Sequence, residues 1–109
     1  MKPQLIIRET AAKELDDIEE YLAANASPEV AGDFLKAAMK AFRLLASQPM
    51  MGRAFLPPRP RLEDVRIWPL QIHRGHLVFY KPITTERGVE ILHVFYGARD
   101  IPRLIDEEF

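Results

Sequence analysis

The chain has 109 residues, which is enough for one domain with a real hydrophobic core and leaves little room for a second domain. Its 48% hydrophobic and 28% charged residues are typical of a soluble globular protein. The absence of Cys excludes disulfides and thiolate metal sites, and no apolar run approaches the roughly 18 residues of a membrane span. We therefore expect a single cytoplasmic domain over residues 1–109, with no signal peptide, membrane association, cofactor or metal.

The charges are unevenly distributed, although the net charge is only -1. Between Gly52 and Pro82 the Lys and Arg residues outnumber the Asp and Glu residues by six to two. A basic patch of this kind suits phosphates or an acidic partner protein. Solvated surface arginines are the simpler alternative.

The first half of the chain predicts a strand followed by two helices. Residues 4–8 are rich in β-branched side chains and favour a short strand. Thr10 is expected to cap a helix, and Ser27 with Pro28 is expected to begin a second helix, which Pro49 ends. The apolar stripe of the first helix is formed by Ala11, Leu15, Ile18 and Leu22. That of the second is formed by Val30, Phe34, Leu35, Ala38, Phe42 and Leu45. So short a connection predicts an antiparallel helix hairpin.

Residues 48–63 follow as a loop rich in Pro, Gly and Arg. Proline stiffens a chain without making regular structure, so we expect an ordered arm that lies across the surface. The tail, residues 100–109, is expected to form a short helix capped by Asp100, or to remain irregular.

Three strand-like runs, at residues 64–70, 76–81 and 88–97, predict an antiparallel meander. In the last run, strict alternation predicts one face formed by Val89, Ile91, His93 and Phe95 and another formed by Glu90, Leu92, Val94 and Tyr96. Both faces are largely apolar, which is typical of a central strand. The predicted fold is α+β, with an N-terminal strand and an antiparallel helix hairpin packed on a mainly antiparallel sheet.

This order of elements resembles the RelE/ParE superfamily of bacterial toxins over nearly the whole chain. Residues 15–22 are similar to the first helix of the family, residues 45–53 to the loop after the second helix, and residues 65–67, 78–80 and 91–100 to the late strands with a closing Arg99-Asp100. The amino acids in these segments resemble ParE-like chains more closely than RelE-like chains, although Tyr96 stands where ParE-like chains commonly have His.

The resemblance implies the toxin of a type II toxin–antitoxin pair that is neutralised by a small cognate antitoxin, as a hetero-oligomer with it or as a homo-oligomer. ParE-like members are similar in inhibiting DNA gyrase, whereas RelE-like members cleave messenger RNA on the ribosome. Three hypotheses follow: a gyrase inhibitor with no chemistry of its own, a ribosome-dependent endoribonuclease, and a degenerate toxin fold that only binds antitoxin. Whether the chain is an enzyme stays open, with the gyrase inhibitor favoured.

A metal-free ribonuclease needs acid–base groups that activate the ribose 2′-hydroxyl and protonate the leaving oxygen. It also needs cations that stabilise the crowded phosphorane. The candidates for such a site are Arg66, Tyr96 and Arg99. RelE-like enzymes are similar in placing a Tyr or another acid–base group near the C-terminus. The segment after Arg99 contains no Tyr, His or Lys, which weakens the resemblance to a nuclease. An ion pair of Arg66 with Asp100 or Glu90 is an equal alternative for that residue.

The remaining candidates have simple structural explanations. We expect His93 to be a packed, hydrogen-bonded histidine, and His73 and His76 to be solvated. Tyr80 is expected to be mostly core, with its hydroxyl at a sheet edge. No pair of histidines has the spacing of a helical metal site.

Partner binding is predicted for a mixed apolar and basic set that suits an acidic amphipathic ligand. This set consists of Arg53, Phe55, Leu56, Arg59, Arg61, Arg66 and Arg99. The alternative for Phe55 and Leu56 is that they plug the arm into the core.

Overall fold

A computed structural model of the chain describes residues 2–55, 64–70, 75–83 and 87–97. The elements follow in the order β1 (Gln4–Ile7), α1 (Glu9–Asn25), α2 (Pro28–Ser47), β2 (Arg53–Ala54), β3 (Arg66–Leu70), β4 (His76–Pro82) and β5 (Gly88–Tyr96). The five strands form one sheet in the order β1-β5-β4-β3-β2, and the two helices pack on it. The predicted α+β fold is therefore confirmed.

The start of α2 follows the local signals in the sequence. The Ser27 hydroxyl accepts a hydrogen bond from the Val30 amide at 3.1 Å, and Pro28 occupies the first turn, where its missing N–H costs nothing. The helix ends at Ser47, before Pro49. Both predicted boundaries of this helix are confirmed.

The predicted cap of α1 is wrong. The helix begins at Glu9, so Thr10 lies inside it. The N-cap residue is Arg8, which makes no capping hydrogen bond with its side chain. The Thr10 hydroxyl instead donates to the carbonyl of Leu92 at 3.2 Å. A contact with β5, distant in sequence, takes the hydroxyl that local rules assign to the helix terminus.

The helices bury their predicted stripes against one face of the sheet. Phe34, Phe42 and Leu45 are fully buried there, beside Val78 and Ile91 of the sheet. Burial of this many large apolar side chains is the main favourable term in the stability of a small domain. None of the helices in the described residues has the length and apolar content needed to cross a membrane.

The sheet confirms the meander and adds two pairings. Strands β3, β4 and β5 are successive antiparallel neighbours. Strand β1 pairs with β5 in parallel, and β2 pairs with the start of β3. Regular structure at β2 corrects the expectation that the loop over residues 48–63 has none. Residues 56–63 and the predicted tail helix lie outside the described residues.

The predicted alternation along β5 is wrong beyond Ile91. Tyr80 pairs with Ile91 and Phe79 with His93, so Leu92 is an extra residue opposite β4. Such a β-bulge shifts the alternation by one residue. Val94 consequently joins Ile91 in the cluster below the helices, whereas Phe95 joins Leu92 in a second cluster. The second cluster consists of Phe55, Val65, Ile67, Phe79, Leu92 and Phe95, with Leu77 packed against it.

Candidate functional site

The turn after α2 is fixed by the side chain of Tyr80. The ring is fully buried, and its hydroxyl donates to the carbonyl of Pro49 and accepts from the amide of Gly52, both at 2.8 Å. The prediction of a mostly buried Tyr80 is confirmed. Its hydroxyl was expected at a sheet edge, but it forms hydrogen bonds with the backbone of this turn. Burial raises the pKa of Tyr80 above its ordinary value of 10.0, against the opposing effects of the Gly52 hydrogen bond and the Arg66 charge.

Arg66 holds the same turn from the neighbouring strand. It lies opposite Tyr80 in the register of β3 and β4, and its Nη1 donates to the carbonyls of Gly52 and, at 3.3 Å, Met50. We call Tyr80 and Arg66 together the turn clamp. A predicted ion pair of Arg66 with Glu90 is not formed, because Glu90 pairs with Arg8 and Lys81; the alternative partner Asp100 lies outside the described residues.

Gly52 allows the turn clamp to approach the backbone. A Cβ atom at this position would overlap the Tyr80 hydroxyl and would lie 2.9 Å from the carbonyl oxygen of Ile67. The sequence contains Gly52 inside a Pro-Gly-Arg loop, but nothing local indicates that a tyrosine 28 residues later reaches it.

Beyond the turn clamp, the predicted partner-binding residues divide into exposed and buried positions. Arg53 is exposed, and Met50 exposes 66% of its surface next to the clamped turn. Phe55 is only 6% exposed, and the centre of its ring lies 5.9 Å from that of Phe79. This agrees with the alternative prediction, in which Phe55 packs into the core. The other predicted contacts lie outside the described residues: Leu56, Arg59, Arg61 and Arg99.

The predicted nuclease residues Arg66 and Tyr96 do not converge. Arg66 lies at one end of β3, and Leu70 at its other end is in line with His76 and Tyr96. Four residues of a strand span about 13 Å, so the two candidates lie at opposite ends of the sheet. Tyr96 instead packs its ring 5.8 Å from that of His76, with an interplanar angle of 51°.

His76 corrects the expectation of a solvated residue. It is 7% exposed, and its ring lies 5.0 Å from that of Phe34 in α2. His76 directly follows Arg74-Gly75 in the sequence, a pair typical of an exposed turn. Its ring nevertheless packs against Phe34 of α2, which the local sequence does not indicate. His73 lies outside the described residues.

His93 is a packed, hydrogen-bonded residue, as predicted. It is 4% exposed, its Nδ1 lies 3.1 Å from each carboxylate oxygen of Glu14, and its ring stacks on Phe95 at 4.8 Å. Glu14 also accepts from the amide of Val94 at 3.0 Å. Glu14 is a residue type suited to solvent on α1, but its partners here come from β5, about 80 residues later in the chain.

A metal centre finds no support within the part of the chain that the structure describes. No group of three or more His, Asp or Glu side chains there is placed to hold a metal ion. At the turn after α2, the exposed Met50 and Arg53 lie near Arg66, and a partly basic surface of this kind suits binding of another macromolecule.

The comparison with solved structures finds the same fold in two other chains. The chain is similar to one from the chromosomal ParDE toxin–antitoxin system of P. aeruginosa, with a TM-score of 0.68, 18% identity, and coverage of 87% of this chain and 96% of that one. It is also similar to a chain of the toxin–antitoxin complex RelBE2 from Mycobacterium tuberculosis, with a TM-score of 0.53, 16% identity, and coverage of 88% and 99%.

The comparison of sequences is more specific. No curated protein matches the chain at a significant level. Residues 5–101, however, match the family described as the ParE toxin of the type II toxin–antitoxin system parDE. The matched segment runs from β1 through the helix hairpin and all later strands. The chain therefore belongs to the ParE toxin family of type II toxin–antitoxin systems.

Proposed function

We propose that this ParE-family chain inhibits DNA gyrase by binding, without chemistry of its own, and that a small cognate antitoxin neutralises it. Membership of the ParE toxin family supports the proposal, as does the fold shared with chains from ParDE and RelBE2 toxin–antitoxin assemblies. The observation that carries the choice of a binding protein over a ribonuclease is the separation of Arg66 from Tyr96 across the sheet.

A ribonuclease of this kind would need its cation and its acid–base group on the same phosphate. Arg66 donates to two backbone carbonyls of the clamped turn, so its Nη1 is already engaged. Tyr96 lies against His76 at the far end of the strands. These positions favour inhibition through a surface. Arg99, the third nuclease candidate, stays a prediction.

The clamped turn supplies a candidate for that surface. Met50 and Arg53 are exposed on a backbone segment that Tyr80 and Arg66 hold in place. A flexible apolar side chain beside a cation suits an acidic amphipathic segment, and a fixed backbone reduces the entropy lost on binding. Arg59 and Arg61 would extend the basic charge of this surface.

The target is tested with the purified protein in two parallel assays: gyrase supercoiling with trapped cleavage complexes, and messenger-RNA cleavage on programmed ribosomes. The expected result is loss of supercoiling or accumulation of cleaved plasmid, with intact messenger. Cut messenger with normal supercoiling would overturn the proposal in favour of a ribonuclease. Activity in neither assay, together with antitoxin binding, would show a degenerate toxin.

The surface is tested with the charge reversals Arg53→Glu, Arg59→Glu and Arg61→Glu, made singly and together. We expect the combined variant to keep its fold and to bind the antitoxin or gyrase more weakly, because an acidic partner then meets like charge. The matched control is Lys40→Glu, which reverses an exposed cation of α2 away from the turn. Equal loss of binding in the control, or unchanged binding in the combined variant, would exclude this surface.

A further inference from the structure

The outer face of α2 carries a row of cations. The side chains of Lys36, Lys40 and Arg43 are all exposed. Their spacing of four and three residues places them on one side of the helix, opposite the buried Phe34 and Phe42. The three cations therefore point away from the core of the domain. We call Lys36, Lys40 and Arg43 together the α2 row.

The positive charge of the α2 row is not compensated by ion pairs. Among the residues that the structure describes, no carboxylate pairs with any of its three side chains. Arg8 and Lys81, by contrast, both pair with Glu90. Residues 34–62 of the sequence contain no Asp or Glu at all. The small net charge of the chain thus conceals a basic surface along α2.

The neighbouring helix has the opposite charge. α1 packs against α2 and contains six Asp or Glu residues but only one Lys. Of these acidic residues, Asp16, Asp17 and Glu20 are exposed. An anionic partner is therefore attracted to α2 and repelled by α1, so that it has to follow α2 instead of lying across both helices. A linear polyanion can do this, because its charges are arranged in a row.

The composition of the α2 row favours phosphates over an acidic protein. No large apolar side chain is exposed between Lys36 and Arg43. Protein interfaces depend on a desolvated apolar centre, whereas cations alone are sufficient to bind a nucleic-acid backbone. Seven residues of helix span about 10.5 Å. One strand of duplex DNA presents a phosphate every ~3.4 Å along the axis, so about three phosphates lie within the length of the row.

We propose that the α2 row binds the sugar-phosphate backbone of duplex DNA without reading its sequence. The choice of DNA rests on the proposed function, because gyrase acts on duplex DNA and a protein bound to gyrase lies close to it. The row adds contacts with DNA to those that the clamped turn makes with protein. Binding of gyrase or antitoxin in the absence of DNA does not involve the row, so Lys40→Glu remains a control for protein binding.

The first test measures binding of the purified chain to a short fluorescent DNA duplex by anisotropy, with gyrase absent. Three phosphate contacts predict that affinity falls about 40-fold between about 50 and about 200 mM salt. Lys36→Gln, Lys40→Gln and Arg43→Gln should each make the logarithmic salt dependence shallower by about one. The matched control is Lys13→Gln, which neutralises an exposed Lys of α1 and should leave it unchanged. Absence of binding at low salt, or an equal effect of the control, would overturn the proposal.

The second test identifies the class of partner by competition against the labelled duplex. A duplex of unrelated sequence should compete as well as the original one, because phosphates carry no sequence information. Polyglutamate at the same concentration of charge should compete poorly. Asp17→Asn should bind the duplex more tightly, since it removes a repelling charge from α1. Stronger competition by polyglutamate or by an RNA duplex would overturn the choice of DNA, and a strong sequence preference would overturn backbone binding.

The third test separates this inference from the proposed function. The variant that combines Lys36→Gln, Lys40→Gln and Arg43→Gln should be folded by circular dichroism, lose DNA binding and bind antitoxin as the wild type does. Weaker antitoxin binding would assign the row to a protein partner and overturn the inference. DNA binding by a wild-type chain that does not inhibit gyrase would refute the proposed function alone. Inhibition of gyrase by a wild-type chain that does not bind DNA would refute the inference alone.

Discussion

Tyr80 shows how one side chain connects the sheet to the surface of this toxin. Its hydroxyl bridges Pro49 and Gly52, and Arg66 beside it holds the same turn. The exposed Met50 and Arg53 take their positions from these contacts. A tyrosine inside the core therefore contributes to the shape of the proposed binding surface without touching a partner.

Tyr80→Phe should destabilise the protein by about 1–3 kcal/mol, because it leaves the Pro49 carbonyl and the Gly52 amide without their buried partner. The control is Tyr21→Phe, since Tyr21 is 52% exposed on α1. Urea denaturation of the two variants measures the difference. A loss no larger than that of the control would contradict the structural role of the hydroxyl.

The pKa of Tyr80 also predicts how stability changes with pH. Burial raises this pKa, so above the ordinary value of 10.0 the unfolded chain releases the proton before the folded protein does. The stabilisation is thus complete below about pH 10 and declines as the pH rises through the folded pKa. Tyr80→Phe should show a shallower decline in unfolding free energy above pH 10 than the wild type. Identical slopes would refute the assignment.

At the scale of elements, β1 depends on a glycine in its neighbour. Gly88 lies opposite Gln4 with a φ of 150°, and a Cβ there would overlap the Gln4 carbonyl and lie 2.8 Å from its amide nitrogen. Both the backbone conformation and the contact between strands require the absence of a side chain.

Gly88→Ala is therefore expected to cost at least about 1–3 kcal/mol from backbone strain, with further loss as β1 is displaced. Gly32→Ala is the matched control, because Gly32 lies in α2 with no atom within 4 Å of an added Cβ. That control should raise stability by about 0.4–1 kcal/mol through helix propensity and a less flexible unfolded chain. Thermal unfolding of both variants checks the opposite signs.

The N-terminal half of α1 covers the part of β5 that β1 leaves unpaired. β1 reaches only to Ile91, and beyond it Thr10 binds the carbonyl of Leu92 while Glu14 binds the amide of Val94. Side chains of a helix thus replace the missing strand. This explains why a threonine suited to capping and a glutamate suited to solvent have other partners here.

At the scale of the whole molecule, the sheet separates the residues that a nuclease would need to bring together. Arg66 takes part in the turn clamp at one end, and Tyr96 joins His76 and Phe34 at the other. The binding surface proposed around Met50 and Arg53 does not include Tyr96.

Tyr96→Phe is accordingly expected to leave growth inhibition unchanged when the toxin is induced without its antitoxin. Loss of a general acid or base would reduce a ribonuclease activity about 10²- to 10⁴-fold. Circular dichroism of the purified variant checks that the aromatic packing against His76 survives. A large loss of toxicity in a folded variant would favour the ribonuclease.

The elements whose causes are local can be predicted from the amino-acid sequence. The spacing of apolar residues predicted both helix stripes, and Ser27 with Pro28 predicted the start of α2, because the groups they satisfy lie within the next turn. The β-branched runs and the turns between them predicted the meander of β3, β4 and β5. The order of these elements resembles the RelE/ParE superfamily, and residues 5–101 match the ParE toxin family.

The contacts between groups far apart in the chain depend on the packing of the elements and were not predictable from local patterns. The bulge at Leu92, the burial of His76 under α2, the partner of Thr10, and the turn clamp all depend on residues far apart in the chain. A local pattern fixes the period with which side chains turn inward, but it does not fix the register between elements. Register decides the hydrogen bonds at β5 and at the turn after α2, and these place Arg66 and Tyr96 at opposite ends of the sheet.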